Sequence, residues 1–107
     1  MREYHGFKQN GNWYKGNIHS HTTISDGMLT PEQAAKLYRD NGYQFMCFSE
    51  HDIFTDFRER FNREDFIILP AVECSVILYR AKGTNERYKV HHLHGILGTS
   101  QMQEAAP

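Results

Sequence analysis

The chain has 107 residues, with 12 Lys and Arg against 13 Asp and Glu, seven His and a formal charge of −1. That length fits one small domain with a modest core and excludes an ordinary complete α/β barrel, which needs about 200 residues or more. The balanced charge excludes a general polyanion binder, which carries a basic excess.

Residues 1–12 are polar and Gly-rich and read as an N-terminal arm. Residues 13–21 read as a short strand, with Lys15-Gly16 near its start, and Ser25-Asp26-Gly27 is a turn signal. Thr30-Pro31-Glu32-Gln33 combines an N-cap, a Pro at the first helical position and a Gln that completes a capping box. Ala34, Ala35, Leu37 and Tyr38 then form an apolar stripe at helical spacing, and Asn41-Gly42 ends the helix. Residues 45–49 are a continuous apolar run, which suits a strand buried on both faces of a parallel sheet. Residues 55–65 are charged, a short helix or a loop. Phe66-Ile67-Ile68-Leu69 opens a third strand. Pro70 demotes its middle, so that it bends there or continues through Val72-Glu73. Residues 75–81 alternate as a strand, Lys82-Gly83-Thr84-Asn85-Glu86 turns, and 87–97 return. The tail over 99–107 is polar and small and is expected to fray. The order implies an α/β fold with parallel strands and a C-terminal β-hairpin.

Fourteen aromatic residues (seven Phe, six Tyr, one Trp) supply core material. No run of 18 apolar residues is present and the first residues lack an apolar signal-peptide core, so a cytoplasmic protein without a membrane span is expected. Cys47 and Cys74 both lie in apolar runs. Reduced, buried thiols fit that compartment; a disulfide or a thiolate ligand is the alternative.

Five polar constellations punctuate the apolar runs. In Ile18-His19-Ser20-His21, alternate strand residues point the same way, roughly 6.5 Å apart, so His19 and His21 can converge on one cation. Alone, the pair equally fits solvated or core histidines. Asp26 sits in a turn that also fits an ordinary solvent-facing carboxylate. Ser49-Glu50-His51-Asp52 directly follows the buried strand, where α/β folds place active sites, although Asp52 also suits a cap for the next segment. Glu73, between Val72 and Cys74, would be costly to bury unless it meets a cation. In His91-His92-Leu93-His94, His92 and His94 share a face, whether as ligands or as histidines on an exposed ribbon. Together these residues set imidazoles and carboxylates at the ends of successive strands. A mixed His and carboxylate set suits Zn, Mn or Fe rather than Ca or Mg. More than four donors exceeds one tetrahedral site.

These motifs resemble those of the polymerase-and-histidinol-phosphatase (PHP) domains. The first motif is Lys15-Gly16-Asn17-Ile18-His19-Ser20-His21-Thr22-Thr23, followed by Ser25-Asp26-Gly27 and Thr30-Pro31-Glu32. The second, usually Thr-Asp-His, appears as Ser49-Glu50-His51, with Glu50 in place of Asp. The third appears as Leu69-Pro70-Ala71-Val72-Glu73, and the fourth near His92-Leu93-His94-Gly95. The resemblance spans 13–98 and implies part of a distorted (β/α) barrel of PHP type. It implies two or three divalent metal ions (Zn, Mn or Fe) at the C-terminal rim of the strands. His19 and His21 would bind one ion, Glu73 would bridge two, and Asp26, His51 and His92 would serve the neighbouring ions. The family varies at His94. The implied activity is hydrolysis of a small phosphate ester, with nucleic acid entering only as a nucleotide substrate. No Arg or Lys can be placed as a phosphate clamp. Asn17 stands where many members have Asp. The family's later ligands are missing: no His follows His94 and no Asp follows Asp65. The expectation is therefore the N-terminal portion of such an enzyme, weakly active or inactive alone. The alternative is a non-catalytic metal-binding module, self-associating through the open edges of a half-barrel.

Overall fold

The computed structural model describes Gly6 and residues 10–105, so most of the expected arm lies outside the described residues. The chain begins with β1 (Gly16–Asn17), α1 (Pro31–Asp40), β2 (Phe45–Cys47), α2 (Arg58–Phe61) and β3 (Ile67–Leu69). It ends with β4 (Ala71–Tyr79), β5 (Arg87–Ile96) and α3 (Ser100–Ala105).

The strand expected over 13–21 is only two residues long. Its pairing ends because the Asn17 side chain accepts a hydrogen bond from the His19 amide at 3.0 Å, turning the chain out of the ladder. A Cβ on Gly16 would lie 2.1 Å from the Phe45 ring, which would have to shift to admit it. Helix α1 forms as its sequence dictates. Thr30 Oγ1 accepts from the Gln33 amide at 3.2 Å, and Gln33 Oε1 accepts from the Thr30 amide at 3.0 Å. Gly42, at φ +80°, takes the left-handed conformation that lets the chain leave the helix.

Strands β1, β2 and β3 form a parallel sheet in that order, with Asn17 beside Met46 and Met46 beside Ile68. Ala34 and Ala35 of α1 pack with Met46, Phe48, Phe66 and Ile68 to form the core. Tyr38, Tyr43, Phe57 and Phe61 close over it. The unbroken apolar run after Gln44 is thus buried as a central parallel strand, the position its composition suits.

Pro70 ends β3, having no N–H for the ladder. Beyond it the chain enters a second, antiparallel sheet of β4 and β5. The two sheets remain joined at the site. His51 and Glu73 form a parallel bridge, with the Glu73 amide donating to Glu50 O at 3.0 Å and the Asp52 amide donating to Glu73 O at 2.8 Å. The cap considered for Asp52 is not made to α2, which starts at Arg58; instead Asp52 Oδ1 accepts from the Ser75 amide at 2.7 Å. The tail expected to fray holds α3, begun by Thr99, whose Oγ1 accepts from the Met102 amide at 3.2 Å. The result is a mixed α/β fold with no closed barrel among the described residues. No helix of the described residues is long and apolar enough to cross a membrane.

Candidate metal centre

Glu73 is the centre of the site and is only 3% exposed. Strand β4 carries it, and the register of the hairpin sets His94 directly opposite and His92 opposite Ser75, so all three side chains share one face. The C-terminal end of β1 leads to His19 and His21, and that of β2 leads to His51. His19, His21 and His51 therefore emerge past the C-terminal ends of the parallel strands, while Glu73, His92 and His94 come from the antiparallel hairpin.

The imidazoles close around the carboxylate. His19 Nε2, His21 Nε2 and His51 Nδ1 lie 3.5, 3.0 and 3.4 Å from Glu73 Oε2. His92 Nδ1 and His94 Nε2 lie 3.2 and 3.3 Å from Oε1. Asp26 stands at the outer rim, its Oδ1 3.5 Å from His21 Nδ1 and its Oδ2 3.1 Å from His51 Nε2. His19 and His21 are not on a strand, as expected from their alternation, yet their Nε2 atoms meet 2.9 Å apart. The rings of His21 and His51 stack at 4.4 Å, and that of His94 stands edge-on to His19 at 4.2 Å.

Burial pushes the Glu73 carboxyl up, but a hydrogen bond from His94 and the charges of His19, His51 and His21 outweigh it and hold the group below its ordinary value. Among the described residues, two buried side-chain atoms, His21 Nδ1 and Glu73 Oε2, lack a partner of hydrogen-bond geometry. Buried polar atoms are seldom left so. A cation among the imidazoles would satisfy Glu73 Oε2, and the spacing around that oxygen fits one: ligands at the usual Zn–N distance on a tetrahedron stand about 3.3 Å apart. Among the described residues, two groups have all their donor atoms within 4.8 Å of one another, His19 with Glu73 and His94, and His21 with His51 and Glu73. Glu73 belongs to both, so the arrangement can hold two ions with a shared carboxylate. The two groups set His19 with His94 and His21 with His51, while His19 and His21 also face each other beside Glu73 Oε2.

All seven residues singled out in the sequence thus meet, although Asp26 and His92 lie outside the two tight groups. Both cysteines are free thiols and belong to neither. Cys47 is buried, which pushes its thiol up to about 11, and Cys74 pairs with Leu93 on the opposite face of the ribbon from His92 and His94. The part played by Glu50 is not legible from its place in Ser49-Glu50-His51-Asp52. Glu50 is fully buried and turns away from the imidazoles to bind the loop after His21. The available signal was the hydroxyls of Thr22 and Ser25, donors that a carboxylate ending an apolar run requires. No protein-family model matches this chain, and no curated protein matches it.

Proposed function

We propose that this cluster is a divalent-metal centre of PHP type that serves hydrolysis of a small phosphate ester or nucleotide. The observation that carries this reading is the buried Glu73 carboxylate ringed by five imidazoles, with Oε2 lacking a hydrogen-bond partner. Zn, Mn or Fe bound there would supply a nucleophile at neutral pH by acidifying water and would neutralise phosphate charge. The chain's own residues do the rest. Glu73 offers one oxygen to each side of the cluster. His51 is held between Glu73 and Asp26, which fixes its ring. Asp26, at the solvent edge, faces His21 and His51 with its two oxygens. The four motifs that resemble the PHP pattern supply the seven donors in the order that family implies.

A second reading is a metal-binding or self-associating module without turnover. It is favoured by the exposed apolar side chains of the β4–β5 ribbon, Leu78, Tyr88, Val90 and Leu93. Reconstitution with Zn, Mn or Fe, followed by elemental analysis, tests the centre; one ion per His/Glu group is expected. A chain that retains no transition metal would overturn it. Little hydrolysis of p-nitrophenyl phosphate is expected. Robust turnover that vanishes in His19→Ala would establish the enzyme reading over the second one.

A further inference from the structure

Glu50 has no exposed surface, and three donor groups from one loop converge on it. Its Oε1 accepts from the Thr22 amide at 2.9 Å and from Ser25 Oγ at 2.7 Å. Its Oε2 accepts from Thr22 Oγ1 and, at 3.2 Å, from the Thr22 amide. Thr22 is itself fully buried. The donors flank two candidate ligands: Thr22 follows His21, and Ser25 precedes Asp26. Glu50 in turn precedes His51, and its carbonyl accepts from the Glu73 amide at 3.0 Å. A single residue therefore ties together the segments bearing His21, Asp26, His51 and Glu73. Packing does little to hold Asp26, whose side chain is 64% exposed.

We propose that Glu50 is a positioning residue: it clamps the loop over 22–25 and so sets His21 and Asp26 against His51 for one of the two ions. This rests on the metal-centre reading. The side-chain clamp touches neither His19 nor His94, and Glu50 meets the Glu73 segment only through its backbone carbonyl, so loss of the carboxylate acts on one group and spares the other. Glu50 binds no ion itself. Its carboxylate faces hydroxyl and amide donors, whereas the imidazoles face Glu73. Residues that hold ligands in this way commonly change metal affinity by about 10–100-fold when replaced.

Zn²⁺ titration of the full chain by calorimetry tests the proposal, with the wild type, Glu50→Gln, Ser25→Ala, His51→Ala and the Glu50→Gln/His51→Ala double variant. Thermal unfolding of each metal-free chain is measured beside it. Glu50→Gln is expected to weaken one of two ions by about 10–100-fold and leave the other unchanged. Ser25→Ala, which removes one donor, is expected to weaken the same ion less. In the His51→Ala background, where that ion is already lost, Glu50→Gln should add nothing, the signature of two residues acting on one site. Equal weakening of both ions, or a lower unfolding temperature with both affinities intact, would overturn the proposal. If Glu50→Gln does not fold, Ser25→Ala decides by the same criterion. A wild type that binds no ion overturns the metal-centre reading and this proposal with it. A wild type with two ions and unselective variants overturns this proposal alone.

Discussion

At Glu73 burial and neighbouring imidazoles pull the carboxyl in opposite directions, and the imidazoles prevail. The native chain then binds fewer protons there than the unfolded chain. The associated stability is present above the ordinary value of 4.5 and is lost as the pH falls through the lowered one. We expect metal-free Glu73→Gln to show a shallower loss of urea stability below about pH 5 than the parent chain; identical acid limbs would contradict this. Cys47 has the opposite sign. Its thiol is raised from 9.0 to about 11 by burial, so its contribution is present below the ordinary value and is lost as the pH rises toward 11. Iodoacetamide at pH 8 should leave Cys47 unmodified in the native chain and label it after unfolding, as peptide mapping would show. The identities of the seven clustered residues were legible in the sequence from residue type and motif order. Glu50's role was not, because a buried carboxylate reads the same whether it faces a cation or hydroxyl donors.

Among the elements, α1 was the most legible, because its start and stop depend on neighbours in the chain: Thr30, Gln33 and Gly42 act within a few residues of one another. Thr30→Ala should lower stability by about 1 kcal/mol, read from the urea midpoint, since it removes the acceptor for the Gln33 amide. The turn at Ser25-Asp26-Gly27 is constrained by space. A Cβ on Gly27 would lie 2.2 Å from His21 O and 2.7 Å from Thr22 N, both backbone atoms. Gly27→Ala should therefore shift the loop, weaken metal binding and cost about 1–3 kcal/mol. Gly95→Ala, whose Cβ would meet Val72 Cγ1 at 3.4 Å, is the control expected to bind metal normally. The first strand was overextended from sequence because the alternation of 13–21 persists past the point where Asn17 turns the chain. In the tail, Thr99 caps a short helix, a local signal that the polar composition there masks.

For the whole molecule, the radius of gyration is 17.5 Å, against about 13 Å for a compact domain of this length. In the β4–β5 ribbon, Leu78, Tyr79, Tyr88, Val90 and Leu93 are exposed. A two-stranded ribbon is marginal in water by itself, and an unpaired strand edge is a template for another chain. We expect a second copy to pair there, so that light scattering shows mass rising with concentration; a constant monomer mass would contradict this. By itself, the sequence determined the helix, the buried central strand, the hairpin and the donor residues, because these follow from local caps, periodicity and residue chemistry. Only the tertiary structure decided that the sheet stays open, that His19 groups with His94 and His21 with His51, and that Glu50 serves the loop. Those outcomes depend on which distant segments the parallel crossovers and the hairpin register bring within hydrogen-bond reach, and no local pattern encodes that distance.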